Sequence, residues 1–246
     1  MRNFRKNIRP CRMAGFICSA ALAGNANAQS AGSFTLATGW LYITPQGHAT
    51  PLTVESVGGM PVNHQLTGTG AHASSTNTLG ITTEYYVTDH IGIATLFGLP
   101  LTVNLDGEGT LGKYGTLGTT RPMPPAVELR YHLFGAQEKF RPYVGLGVNY
   151  TWFTQVRATS RQFITDSVGP GGSIRATLSA SWNPVFEVGA NYTFAKHWSV
   201  GASVGYMPLQ THMTIYGQTA NGTQIVSKST LRIEPINVFV NVAYTF

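Results

Sequence analysis

Two short motifs contain residue types that could carry enzyme chemistry. Residues 201–205 read G-x-S-x-G, the pattern of a hydrolase nucleophile, which requires a strand–turn–helix setting. Residues 107–113 have the spacing of a phosphate-binding loop, but Tyr114 stands where a magnesium-binding Ser or Thr is required. The first motif lies in an alternating strand pattern and the second in a polar loop with no helix pattern after it. We therefore expect neither catalysis nor a cofactor.

The charged residues with the most informative spacing are Glu128, Arg130 and His132, which alternate with apolar residues. A period of two places all three on one face of a β-strand. Glu84 and Glu187 occupy the polar faces of two other alternating segments. Burying an unpaired charge is costly, so Arg130 is expected to pair with one of these carboxylates. A membrane-embedded enzyme built from Ser203, His132 and Glu187 is disfavoured by their spacing.

The composition excludes the common soluble classes. Charged residues make up 11% of the 246 residues, less than half of the roughly 25% typical of soluble domains. No apolar stretch reaches the length of about 20 residues that a membrane-spanning helix needs. These two observations argue against a soluble domain with a charged surface and exclude a helical membrane protein.

The first 28 residues have the pattern of a secretory signal peptide. Five cations in residues 2–12 precede an apolar segment, and Ala26-Asn27-Ala28 has the small-x-small pattern of a cleavage site. Cleavage after Ala28 would remove both cysteines and lower the net charge from +6 to about +1. The basic isoelectric point thus belongs to the precursor and does not indicate a nucleic-acid partner. Residues 29–246 are expected to form a single domain.

Period-two alternation dominates this remainder and predicts eight strands. Short links join strands on one side, whereas the connections at about 46–76, 102–124, 154–180 and 210–230 are long, polar and rich in glycine. This asymmetry is typical of an antiparallel outer-membrane β-barrel with short periplasmic turns and long extracellular loops. Aromatic residues at the ends of the apolar faces fit its two girdles. The predicted strands are Phe34–Thr44, Leu79–Val87, Ile91–Leu101, Ala126–Leu133, Pro142–Phe153, Pro184–Tyr192, Trp198–Tyr206 and Ile236–Phe246.

Several strings are similar to those of the OmpW family of small outer-membrane proteins. They are the turn at 88–93, the Met123-Pro124-Pro125 start of the fourth strand, the distinctive stretch 139–151, Glu234-Pro235, and the terminal Phe246. The resemblance covers nearly all of residues 34–246. It implies an eight-stranded barrel in a Gram-negative outer membrane, with an apolar lumen that lets small hydrophobic molecules cross.

The resemblance also implies an apolar constriction made by an inward Leu and an inward Trp. The Leu corresponds to Leu96, but Gly205 stands at the Trp position. Either the constriction is wider here, or Met207 and Phe239 replace the missing ring. Inward glycines are expected to leave gaps in the lumen. We predict an apolar upper pocket that includes Leu41, Leu96, Met207, Leu209 and Phe239, above a charged floor of Glu84, Glu128, Arg130, His132 and Glu187.

Four prolines fall within or at the ends of strands on the loop side: Pro100, Pro184, Pro208 and Pro235. Proline removes a ladder donor, so at least one is expected to mark a lateral opening, unless they only end strands. The sequence favours passive uptake of small hydrophobic solutes. The alternative is a structural or receptor barrel whose loops bind host, phage or toxin. The expected partners are outer-membrane lipid and lipopolysaccharide, hydrophobic solutes, and the outer-membrane assembly machinery acting on Phe246.

Overall fold

A computed structural model describes residues 29–246 of the chain. The predicted signal peptide, residues 1–28, lies outside the described residues. Among the described residues, no helix has both the length and the apolar character needed to span a membrane.

The chain from Phe34 onward is almost entirely β-structure. One eight-residue helix, α1 (Arg161–Val168), and one 3-10 turn (Gly112–Tyr114) interrupt the strands. The strands are β1 (Phe34–Thr44), β2 (Leu52–Val57), β3 (Met60–Leu66), β4 (Thr69–Ala73), β5 (Thr76–Tyr86), β6 (Ile91–Gly98), β7 (Val103–Gly109), β8 (Thr116–Met123), β9 (Ala126–His132), β10 (Phe140–Ala158), β11 (Ser173–Leu178), β12 (Ser181–Thr193), β13 (Trp198–Tyr206), β14 (Gln210–Gln218), β15 (Gln224–Arg232) and β16 (Ile236–Thr245).

Eight of these strands close into an antiparallel barrel. Around its wall they run β12, β13, β16, β1, β5, β6, β9 and β10, and pairing of β10 with β12 closes the circle. Closure gives the backbone groups of both edges a partner, as a lipid environment requires. These are the eight strands predicted from the alternation. The ends of β1 and β13 match the prediction, whereas β6 stops three residues early, at Gly98, and β10 runs on to Ala158.

The period of two separates a lipid-facing surface from a lumen-facing one. In β9, for example, Val127, Leu129 and Tyr131 are about half exposed, whereas Glu128 and Arg130 are buried. Apolar residues outside and charged residues inside are the inverse of a soluble protein. They fit a barrel whose outer face meets lipid.

The long connections are not irregular loops, as their polar and glycine-rich composition suggested, but fold into two sheets above the barrel. One sheet holds β11, β14, β15, β2 and β3, and the other extends β10 through β8, β7 and β4. A bulge in β10, with Gln155 at a φ of 51°, shifts the register between Thr154 and Arg157. Such a bulge re-aims side chains, and Phe153 and Val156 both line the interior.

Candidate functional site

The lower half of the lumen is filled by an ionic cluster centred on Arg130. Its guanidinium donates to Glu187 at 3.1 Å, to Glu128 at 3.3 Å and to Glu84 at 3.4 Å. These four side chains, contributed by β5, β9 and β12, are at most 5% exposed. The expected pairing of Arg130 with an inward carboxylate is therefore present, with three carboxylates rather than one.

Aromatic rings and His132 complete this floor. His132 Nε2 lies 2.7 Å from a carboxylate oxygen of Glu84. The Tyr143 hydroxyl donates to Glu187 at 2.5 Å, and the Arg130 guanidinium stacks over the Tyr143 ring at 4.9 Å. Tyr86 lies against His132, with the ring centres 5.0 Å apart. The alternation predicts which face of its strand each tyrosine occupies. It does not predict their contacts, because these join strands that are distant in sequence.

The inward glycines of the lower lumen do not leave gaps, which corrects the sequence expectation. A Cβ at Gly80 would lie 2.7 Å from the Phe239 ring, and one at Gly189 would lie 2.6 Å from Tyr143. At Gly145 it would meet Glu128 and Glu187 at 3.3 Å. These glycines make room for large side chains from neighbouring strands. The lower lumen is thus packed rather than open.

Above this floor lies an apolar cavity of about 170 Å³ that extends up between the two loop sheets. An engineered apolar cavity of about 150 Å³ binds benzene, so a small hydrophobic molecule fits in this volume. Four buried residues in its wall pack together as one apolar cluster: Ala126, Val185, Met207 and Leu209. Leu41 and Leu96 also line the cavity, as predicted from the sequence.

Two residues assigned to the apolar constriction do not line this cavity. Phe239 is buried, and its ring lies over Gly80 and against Leu41, so it separates the cavity from the ionic floor. Gly205 is also outside the lining, and a Cβ there would make only ordinary contacts, at 3.6 Å or more. Met207 does line the cavity. The aromatic residues that line the cavity are Phe153 and Phe163, and Phe153 on β10 packs against the same apolar cluster as Leu96.

The outer end of the cavity is covered by residues that the sequence analysis did not identify. Phe163 of α1 packs with Ala71 and Leu117, and all three are buried. Ser160 caps the helix by accepting from the Phe163 amide at 3.3 Å. Tyr114 meets the Phe163 ring edge-on at 5.6 Å and donates to Asp166 at 2.9 Å. A capping residue before a short amphipathic segment was the available signal for this helix.

The barrel wall beside the apolar cluster lacks part of its hydrogen-bond ladder. Pairing of β12 with β13 ends at Phe186 and Tyr206, and contact resumes where Ser179 donates to His212 at 3.0 Å. Within the described residues, no backbone hydrogen bond joins 180–185 to 207–211. Pro184 and Pro208 lie on opposite sides of this gap. By contrast, Pro100 follows β6 at the surface, and Pro235 is buried in the cavity lining.

Polar contacts also fix the loop sheet that contains β4, β7 and β8. Ser74 and Thr116 each donate a hydroxyl to Asp106 at 2.6 Å. These bonds favour the carboxylate and lower the pKa of Asp106 below its ordinary value. Nearby, His48 and His72 both face Glu108, at 2.8 and 3.1 Å. Within residues 29–246, no group of three or more His, Cys, Asp or Glu side chains is arranged to hold a metal ion.

A closed eight-stranded barrel with an apolar outer face, short turns at one end and folded loops at the other is a small outer-membrane β-barrel. Its interior combines an apolar cavity on the loop side with a packed ionic floor. The sequence profile of the OmpW family matches residues 30–246, and the chain belongs to this family. Like its relatives, it is an outer-membrane protein of Gram-negative type.

Individual relatives agree with this assignment. Outer membrane protein W of Escherichia coli K12 is 30% identical over 190 residues, covering 77% of this chain and 79% of that protein. The crystal structure of the outer membrane protein OprG from Pseudomonas aeruginosa superposes with a TM-score of 0.77 at 26% identity, covering 89% and 98% of the two chains. The dibenzothiophene metabolism operon protein PahQ of Pseudomonas aeruginosa is 29% identical over 153 residues, covering 62% of this chain and 65% of that protein.

Proposed function

We propose that the barrel takes up small hydrophobic molecules passively through the apolar cavity. The observation that carries the proposal is the cavity itself, since apolar residues line about 170 Å³ of space on the loop side of the barrel. A barrel with a purely structural role has no need of such a space. The name of the relative PahQ refers to dibenzothiophene metabolism, and dibenzothiophene is an apolar aromatic molecule.

We propose further that the solute leaves sideways into the membrane rather than down the lumen. Below the cavity, Phe239 and the Arg130 cluster fill the barrel, and moving a hydrophobic solute into such a polar site raises the free energy. The ladder gap between Pro184 and Pro208 lies next to the apolar cluster of Val185, Met207 and Leu209. Two neighbouring strands separate most easily where no ladder hydrogen bonds join them.

The receptor alternative is supported by a different observation. The loop sheets form a folded surface above the barrel, and the edge strand β3 exposes Met60 and Val62, at 70% and 49%. An unpaired edge strand is a template for binding another chain. The two functions are compatible, because one uses the interior and the other the outer surface.

Uptake by cells distinguishes these functions. Cells with and without the protein are given a panel of apolar and polar solutes of similar size, and initial uptake rates are compared. The transport proposal requires faster uptake of the apolar solutes only. If cells that display the folded barrel take up every solute at the same rate as cells without it, the receptor function is the better explanation.

Two partner proposals follow from the membrane location. We expect the assembly machinery to recognise the C-terminal strand β16, because Phe246 is 65% exposed and continues the outward series of Tyr244 and Val242. We also expect the extracellular half of the wall to contact lipopolysaccharide. N-terminal processing after Ala28 remains our proposal for how the chain reaches this membrane.

A further inference from the structure

Two arginines face outward from the wall just above an aromatic cluster. Arg121 of β8 is the ladder partner of Thr154, and Arg157 is the partner of Thr119. Directly opposed residues of antiparallel strands share one face of the sheet. Met123 and Trp152 form the next pair towards the membrane, and the Trp152 ring is tilted by 34° against Tyr150 on the lipid side, at 5.8 Å between ring centres. Arg121 therefore projects from the same outer face as this cluster.

The height of the two arginines corresponds to the lipid head groups. Phe140 begins β10 at the short-turn end of the wall, and Trp152 lies twelve positions further along the same strand. At a rise of about 3.4 Å per residue and a tilt of about 40°, this spans roughly 31 Å, close to the thickness of a hydrocarbon core. Residues beyond Trp152 are therefore outside the hydrocarbon. The level of Thr154 and Arg121 is the head-group region of the outer leaflet.

Neither arginine has an anionic partner in the part of the chain that the structure describes. Among the described residues, no carboxylate lies within 4.0 Å of Arg121 or Arg157. The Nε of Arg121 is moreover shielded from solvent and has no hydrogen-bond partner. Because Nε is shielded, an external anion would contact the terminal Nη groups, which carry four of the five guanidinium N–H donors.

The spacing of the pair suits one anion. Arg157 opposes Thr119, two residues before Arg121 on the same strand, so the two arginines are diagonal neighbours. Diagonal positions are about 7–8 Å apart, within reach of two long side chains that converge on one group. Planar guanidinium groups bind phosphate through two parallel hydrogen bonds, more specifically than lysine does.

We propose that Arg121 and Arg157 bind a phosphate group of lipid A, the phosphorylated membrane anchor of lipopolysaccharide. Trp152, Tyr150 and the 72% exposed Trp182 lie below them and contact the sugar and upper acyl region. Trp and Tyr favour this interfacial depth. The site rests on the outer-membrane location and is independent of whether the cavity transports a solute.

The test uses the folded full-length mature barrel in nanodiscs of zwitterionic lipid. Binding of bisphosphorylated lipid A, of the same lipid without its phosphates, and of inorganic phosphate is measured by native mass spectrometry. Wild type is compared with the double variant Arg121→Gln/Arg157→Gln. The matched control is Arg161→Gln with Arg175→Gln, which removes two exposed outward cations from α1 and β11. Retained heat-modifiable mobility on gels shows that each variant has folded.

We expect the double variant to bind lipid A about tenfold more weakly, and the control pair to bind it like wild type. Removing the phosphates should weaken binding to wild type by a similar factor. The assignment is overturned if the double variant binds like wild type, if the control pair loses as much, or if phosphate-free lipid A binds equally well. If the wild-type barrel binds inorganic phosphate but does not bind lipid A, the site is one for free anions, and the assignment is also overturned.

Discussion

Arg130 of β9 reaches past β10 to Glu187 of β12, with 3.1 Å between Nη2 and Oε1. The two residues are 57 positions apart in sequence and belong to strands that are not ladder partners, since β10 lies between them. The ion pair therefore ties together three consecutive strands through the lumen. Glycines of β10, above all Gly145, leave the space through which it passes.

Replacing Arg130 with Met should destabilise the barrel strongly. Three buried carboxylates would lose their shared cation, and removing one partner of a buried ion pair costs roughly 3–5 kcal/mol. The measurement is urea unfolding of the purified protein in lipid or detergent, followed by tryptophan fluorescence. Lys139→Met is the control, because Lys139 is exposed at a short turn and its replacement should change the free energy of unfolding by less than about 0.5 kcal/mol.

A double variant separates charge from packing. If unpaired carboxylates cause the loss, adding Glu128→Gln to Arg130→Met should recover part of it, since one uncompensated charge is removed. Strictly additive losses would contradict this explanation and would assign the effect to packing alone.

The pH dependence of the loop sheet should reflect Asp106. The pKa of this carboxyl is lowered by the hydroxyls of Ser74 and Thr116, so the folded sheet favours the ionised form. The stabilisation is fully present above the ordinary Asp pKa of about 3.9 and is lost as the pH falls through the lower folded value. The hydrogen-exchange protection factors of β4 and β7, which correct for the slower intrinsic exchange in acid, should therefore fall in that range. Asp106→Asn should remove this pH dependence, and an unchanged profile in the variant would argue against it.

The sequence predicted the wall better than the contents of the barrel, for a physical reason. One face of each wall strand contacts lipid and must be apolar. The alternation is therefore visible within a single segment, as at Val127, Leu129 and Tyr131. The packing inside depends on which strands face each other, and no local pattern tells that Phe239 fills the space over Gly80. The loop sheets escaped prediction for a similar reason. Their strands mix polar and apolar residues without the clear alternation of the wall strands, as in β3 (Met60–Leu66), and α1 is only eight residues long.

Cross-linking the ladder gap tests the sideways exit. The sequence after residue 18 has no cysteine, so Pro184→Cys/Pro208→Cys introduces the only pair into the mature chain. Joining the two by oxidation or by a short thiol-reactive cross-linker should slow uptake of apolar solutes, and a reducible link should restore it on reduction. Val188→Cys/Val204→Cys is the control, because these residues are opposed within the intact ladder. Unchanged uptake after complete cross-linking at the gap would exclude this exit.

Processing of the precursor should leave Gln29 as the first residue. In the structure Gln29 is buried, and its backbone oxygen accepts from Arg141 at 2.6 Å, so the start of the barrel domain is anchored at the short-turn end. The intact mass of protein extracted from the outer membrane is the direct measurement, since it also detects a cyclised N-terminal glutamine. A start upstream of Ala14 would be incompatible with the signal peptide.

Leu96→Arg is the decisive substitution for the transport proposal. Leu96 lines the cavity from β6 and is a partly buried contact of the cluster formed by Val185, Met207 and Leu209. A guanidinium there would put a charge into the path of a hydrophobic solute, while its lumen-facing position keeps the charge away from lipid. Uptake of apolar solutes should fall at least tenfold, with the folded, heat-modifiable barrel still present at normal levels.

The matched control for Leu96→Arg is Leu96→Met, which keeps an apolar side chain of similar volume and should keep uptake close to wild type. Uptake of a polar solute through the cell's general porins should be the same in all three strains. If the folded Leu96→Arg protein still takes up apolar solutes at the wild-type rate, these molecules do not pass through the cavity, and the pocket and its sideways exit are both wrong as a transport route.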